Sequence, residues 1–304
     1  MHWHVSVVLA AIATVHASGA DLQPAQAQRT EVVLLGTGTP VPDPRAWGPA
    51  SAVLVGKRLF VVDAGAGVTR QLAAAGFPRV HDVEATFITH LHSDHTLGYP
   101  DLIFTTWIMG RRAPLVVFGP PGLRRMTDKL MEAWSEDLEV RIKGLERESD
   151  EWLKVDAREV VPGVIYDRDR VRVTAIGVAH GNWAHAFGFR FDTPDRSITF
   201  AGDTAPSRAL AEAAKGTDVL VHEVYVAKRL KPEERPGGEF WPEYMRRFHT
   251  SDEELGRLAA EIRPKLLLLD HVMLLGGTEE ELVRGIRAGG YTGRVEIGRD
   301  LGRY

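Results

Sequence analysis

The stretch Ala85-Thr86-Phe87-Ile88-Thr89-His90-Leu91-His92-Ser93-Asp94-His95 decides the reading of this chain. Its first five residues form a short, largely apolar run with the character of a buried strand. That run delivers His90, His92, Asp94 and His95 within six residues. In extended chain, positions i and i+2 point the same way, so His90 and His92 can grip one ion together. The turn that follows can aim Asp94 and His95 at a second point. Three imidazoles and a carboxylate packed so closely have no ordinary role in a core. Imidazole and carboxylate without thiolate suit zinc, with iron and manganese as alternatives.

The same arrangement recurs further along. His180, Asp203 and His271 each follow another apolar run, at 171–178, 197–201 and 266–269. Together with the first cluster they make seven nitrogen and oxygen ligands. Two metals sharing one bridging carboxylate would use all seven and leave room for a water. Such a pair, about 3.5–4 Å apart, lowers the water's pKa and clamps the attacking and leaving oxygens.

Around these ligands, strands at 31–35, 52–55 and 59–62 come first, as hairpins. Strands then alternate with helices at 68–75, 99–109, 123–134, 207–214, Asp252–Ile262 and 278–288, and a last strand lies at Arg294–Ile297. The charged stretch 136–160 gives no assignment. No linker divides the pattern, so a single α/β domain is expected, with two sheets sandwiched between helices.

Composition sets the outer limits. The chain has 304 residues, 44% of them hydrophobic and 26% charged, which is ample for a large core. Lys and Arg number 37 against 41 Asp and Glu, so the basic surplus of a polyanion-gripping protein is missing. Cysteine is absent, which excludes disulfides, thiolate metal sites and a Cys nucleophile. The small, apolar run 5–17 followed by Ala25-Gln26-Ala27 reads as a secretory signal peptide over residues 1–27, cut after Ala27. Residues 28–304 are then the mature domain, with a secreted or periplasmic location. The apolar run is too short to span a bilayer, and no membrane association is expected.

The segment His90–His95 in full, the Asp63-Ala64-Gly65-Ala66-Gly67 stretch, the Gly36-Thr37-Gly38-Thr39-Pro40 turn, His180, Gly202-Asp203-Thr204 and Asp270-His271 resemble, in order, the motifs of the metallo-β-lactamase-fold hydrolases. The resemblance covers about residues 30–300. It implies a four-layer αββα sandwich with metals at one rim. It further implies His90, His92 and His180 on a first zinc, Asp94, His95 and His271 on a second, and Asp203 bridging. Within that superfamily the chain looks most like ribonuclease Z and the arylsulfatase-like proteins. His222-Glu223-Val224-Tyr225 and His249-Thr250-Ser251 are similar to two ribonuclease Z segments. There the Glu follows a His, and the later His helps protonate the leaving group. Glu223 oriented on His249 would form a proton relay, and His222 would be structural support.

Three features count against precursor tRNA as substrate. A leader removes the protein from the compartment that holds it. Only 22 residues separate His180 from Asp203, too few for the protruding tRNA-gripping arm of that family. The net charge of −4 gives no global attraction to phosphate. Trp183, Trp241 and Tyr244 lie near the site in sequence, and an aromatic cleft favours a small ester. The expectation is therefore a binuclear zinc hydrolase of a sulfate ester, phosphodiester or related ester. Asp94 orients the attacking hydroxide, and His249 and Glu223 supply the leaving group's proton. The alternative is a ribonuclease Z-like phosphodiesterase acting on RNA or cyclic nucleotides. The sequence leaves the oligomeric state open, with a homodimer among the alternatives.

Overall fold

Strand β1 (Thr30–Gly36) shows how this chain builds its layers. Val32 and Leu34 point into one apolar cluster and Val33 and Leu35 into another, and all four are buried. A strand covered on both faces reads as a continuous apolar run, not an alternating one. The computed structural model describes residues 29–77 and 80–304. The leader expected at residues 1–27 lies outside them.

β1 begins a six-stranded sheet that continues, in spatial order, with β2 (Ala50–Val55), β3 (Arg58–Val62), β4 (Val83–Phe87), β5 (Leu115–Gly119) and β6 (Val155–Glu159). The second sheet has seven strands: β7 (Gly163–Arg168), β8 (Val171–Gly177), β9 (Phe187–Asp192), β10 (Ser197–Phe200), β11 (Val219–Tyr225), β12 (Leu266–Met273) and β13 (Arg294–Ile297). Each sheet starts with antiparallel hairpins and ends with parallel strands reached through crossovers.

Helices α1 (Val68–Ala74), α2 (Ser93–Thr96), α3 (Tyr99–Ile108), α4 (Leu123–Ala133), α5 (Ser135–Lys143) and α6 (Asp150–Leu153) belong to the first half. α7 (Arg208–Ala213), α8 (Trp241–Phe248), α9 (Asp252–Ile262) and α10 (Glu279–Ala288) belong to the second. The layers are those of the expected four-layer αββα sandwich. Phe60, Phe87, Phe118, Phe189 and Phe191 fill the space between the sheets, with Phe87 stacked on Phe118 at 5.2 Å and edge-on to Phe191 at 5.3 Å. Outer clusters seat α1, α3 and α4 on the first sheet and α7, α9 and α10 on the second. No described helix is long and apolar enough to cross a membrane.

Two helix starts are fixed by reciprocal capping, Ser251 with Glu254 and Thr278 with Glu281. Residues 301–304 lie along β1, with Tyr304 and Val32 exchanging backbone hydrogen bonds of 3.0 and 2.9 Å.

The structure departs from the sequence pattern in three places. β4 ends at Phe87, so Thr89 and His90 leave the strand before the ligands begin. β11 and β12 run on through His222-Glu223 and Asp270-His271 instead of stopping ahead of them. The stretch 136–160 resolves into α5, α6 and β6, surface elements whose charges pair with one another, as Arg141 does with Asp137 and Lys143 with Glu139.

His222 sits within β11, fully buried, its Nδ1 hydrogen-bonded to the Glu223 carbonyl at 2.6 Å. Burial lowers its pKa to about 4. The unfolded chain would protonate it near 6.5, so the neutral ring's contribution is complete above that pH and is lost as pH falls toward 4. Urea unfolding should therefore show stability dropping across that window. His222→Gln should flatten the drop by up to about 3 kcal/mol. An unchanged slope would refute the assignment.

Candidate metal centre

Parallel strands of both sheets end at one rim, and four of them lead to polar side chains there. β3 ends on Asp63, β4 leads to His90, β10 leads to Asp203, and β12 carries Asp270 and His271. His180 follows β8, which runs in the same direction as β10.

The local backbone explains the aim of these side chains. Asp63 and His271 adopt left-handed conformations, with φ of 59° and 43°, where non-glycine residues are uncommon. Gly202 also has positive φ, at 63°, and a Cβ there would come within 2.8 Å of the Phe187 carbonyl. Between β11 and β12 the pairing slips, so that His222 faces Leu269 and Val224 faces Val272. Asp270 and His271 thus oppose the single residue Glu223. A bulge of this kind re-aims side chains beside functional sites.

All seven expected ligands come together. His90, His92, His180 and Asp203 form one group with ligand atoms within 4.8 Å of one another, and Asp94, His95 and His271 form another. In the first, His92 Nδ1 lies 3.0 Å from His90 Nε2 and 3.1 Å from His180 Nε2. In the second, Asp94 Oδ2 lies 3.3 Å from His271 Nε2 and 3.6 Å from His95 Nε2. Asp203 Oδ2 lies between the groups, 3.5 Å from His95 and 3.6 Å from His271. His249 stands beside them: its Nδ1 is 3.5 Å from Glu223 Oε2 and 3.9 Å from Asp203 Oδ2. His185 is exposed on its loop and outside the cluster. Trp107 is buried in the core and does not line the cleft.

The electrostatics suit a cation. Burial lowers the pKa values of His90 and His92 and brings that of His180 to about 4. These rings are therefore neutral, the form that can coordinate. Burial alone would raise the Asp203 pKa, but His271 and His95 outweigh it and hold the carboxylate well below its usual range. His95 Nε2 is buried with no hydrogen-bond partner and faces two carboxylates. A donor set of imidazole nitrogens and carboxylate oxygens, with such an orphaned atom aimed inward, fits a pair of divalent cations.

Behind the cluster stand residues that the sequence pattern left without a role. Asp63 Oδ2 accepts from His95 Nδ1 at 2.9 Å, and the same carboxylate accepts from the Thr89 amide at 2.8 Å and the Thr89 hydroxyl. His180 Nδ1 donates to the Phe248 carbonyl at 2.8 Å. Such partners orient a ring and raise the basicity of its other nitrogen. Glu223 Oε1 accepts from the Thr250 amide at 2.8 Å and so anchors the segment that carries His249. Burial, and then Asp203, raise the Glu223 pKa well above normal, while burial lowers that of His249 to about 4.

Aromatic rings line one side. Trp241, Tyr244 and Phe248 share a face of α8 and stack at 5.0 and 4.2 Å. Phe248 meets His180 edge-on at 5.0 Å. Trp183 Nε1 donates to His92 Nε2 at 2.8 Å.

Comparison with known proteins places this architecture. A domain family described as "Beta-lactamase superfamily domain" matches residues 58–272. The ribonuclease Z of Mycobacterium marinum is 33% identical over 280 residues, covering 90% of this chain and 97% of that protein. The ribonuclease Z of Mycolicibacterium paratuberculosis is 36% identical over 281 residues, with the same coverage. Among solved structures, the metallo-beta-lactamase fold protein YhfI from Bacillus subtilis aligns with a TM-score of 0.69 at 17% identity, over 90% of this chain and 98% of that one.

Two outcomes test the geometry. Asp63→Asn should loosen the orientation of His95, lowering zinc affinity about 10–100-fold in a chelator competition while the fold is kept. Unchanged affinity would count against its role. A cation on His92 Nδ1 leaves that ring's proton on Nε2, which cannot accept from an indole. Zinc added to metal-free protein should therefore shift the intrinsic fluorescence, and Trp183→Phe should remove most of that shift.

Proposed function

The chain belongs to the metallo-β-lactamase superfamily, in the branch that holds ribonuclease Z, and is a metal-dependent hydrolase of ester bonds; from that premise we propose that it is a binuclear zinc phosphodiesterase acting on RNA or another nucleotide diester. The observation that carries this reading is the similarity, over 90% of the chain, to proteins named ribonuclease Z. It favours the phosphodiester over the sulfate ester that the aromatic cleft suggests.

His90, His92 and His180 would hold one cation, Asp94, His95 and His271 the other, with Asp203 between them. When bound, the cations polarise the phosphoryl oxygens and lower the pKa of the attacking water. Asp94 orients that water and accepts its proton. His249, 3.9 Å from Asp203 Oδ2, passes to the departing oxygen the proton that burial keeps on Glu223. Glu223 sets the angle of the His249 ring through their 3.5 Å contact. Trp183 and the α8 rings restrict water around the ester and flank its substituents.

The shape of the substrate differs from that of an arm-gripped tRNA. β9 and β10 take up most of the interval between His180 and Asp203. A leader cleaved after Ala27 would put the enzyme in the periplasm or outside the cell, where RNA fragments or cyclic nucleotides are its substrates. N-terminal sequencing of the mature protein tests that location.

The purified protein should carry two zinc ions by elemental analysis. It should cleave a bis-aryl phosphodiester and short RNAs, lose this turnover to a chelator and regain it with zinc. His92→Ala and Asp203→Ala should reduce turnover to background while circular dichroism stays unchanged. Strong aryl sulfatase activity without diester cleavage would overturn the reading.

A further inference from the structure

Tyr244 has a feature that its neighbours in the α8 stack lack: a hydroxyl with no hydrogen-bond partner among the described residues. The ring is held from both sides. Trp241 lies nearly parallel to it, tilted by 10° at 5.0 Å, and Phe248 by 20° at 4.2 Å. Phe248 is in turn seated against Gly181, where an added Cβ would fall 2.0 Å from the phenyl ring. On the outer side, the Arg235 guanidinium covers Trp241 at 5.4 Å. A ring clamped this way has little freedom to swing its hydroxyl elsewhere.

The ring itself lies beside the metal cluster. The Tyr244 ring centre is 5.8 Å from that of His249. Burial, followed by the charges of Asp203, Asp94 and Glu223, pushes the phenol's pKa up to about 12. At any ordinary pH it keeps its proton, so it can serve neither as base nor as nucleophile. What it can do is donate a hydrogen bond to an anion.

We propose that the Tyr244 hydroxyl donates to a non-bridging oxygen of the phosphodiester bound beside Asp94, Asp203 and His249, and that the Trp241–Tyr244–Phe248 stack serves to hold it there. The assignment rests on the phosphodiesterase reading for its substrate, but the chemistry it needs is only a tetrahedral oxyanion. A donor fixed in a partly dry site, aimed at developing charge, is worth far more than the same donor in water. Arg247 donates to Asn182 Oδ1 at 3.1 Å and pairs with Glu243 at 3.6 Å.

The experiment compares the zinc-loaded full chain with Tyr244→Phe, which keeps the ring stack and removes only the oxygen. Binding of inorganic phosphate is measured by calorimetry, and turnover of a bis-aryl phosphodiester is measured in parallel. Phosphate Kd should rise about tenfold in the variant. kcat/KM should fall about 10–100-fold, with zinc content and Tm unchanged. A filler role in the stack would instead leave both quantities at the wild-type level while Phe248→Leu lowers Tm. Equal phosphate affinity in the two proteins overturns the proposal, and so does a wild type that binds no phosphate. A wild type that binds phosphate through Tyr244 yet cleaves no diester sinks the phosphodiesterase reading and leaves the phenol's assignment standing.

Discussion

Asp203 is a carboxylate with 3% of its surface exposed, and burying an ion costs several kcal/mol unless opposite charge surrounds it. Here the compensation comes from imidazoles on separate elements: His95 after β4 and His271 on β12, both within 3.6 Å of one carboxylate oxygen. The arrangement is self-consistent only if both sheets end at the same rim. The rest of the molecule can be read as the means of bringing that about. Two sheets with the same order of antiparallel then parallel strands, packed across a layer of phenylalanines, place the strand ends side by side.

The aim of the side chains needs more than a strand end. A regular strand turns successive side chains to opposite faces, so Asp270 and His271 would ordinarily diverge from Glu223. The bulge between β11 and β12 breaks that alternation at one point, and the left-handed backbone of His271 completes the redirection. Asp63 uses the same device at the end of β3. These two residues carry backbone strain of order 1–3 kcal/mol each. The hydrogen bonds from His95 and Thr89 to Asp63 offset it there.

Much of the site was legible in the chain because its signals are local. The spacing of His90, His92, Asp94 and His95 speaks for itself, and His180, Asp203 and His271 share the sign of an apolar run ahead of them. Asp63 had the same sign, yet its partner His95 is 32 residues away and joined only by folding, so its part could not be read. The helix α8 was missed although Trp241, Tyr244, Met245 and Phe248 are spaced i, i+3, i+4 and i+7: it is only two turns long, and Pro242 reads as a breaker although it stands at the helix start, where its missing N–H costs nothing. β6 and β7 escaped for a different reason. They are half-exposed outer strands, and their mixture of charge and apolar residues follows neither the buried nor the alternating pattern.

The pairing of residues 301–304 along β1 has a consequence for self-association. An unpaired strand is a template for a stranger, and this one is already satisfied by its own chain. Among the described residues, the strands left open at the margins of the two sheets are β6, β7 and β13. Each bears an acid–base couple close at hand: Asp156 with Arg158, Asp167 with Arg172, and Arg294 with Glu296. A foreign strand docking on any of them would have to strip water from fixed charges. At these three described margins the chain thereby resists runaway polymerisation.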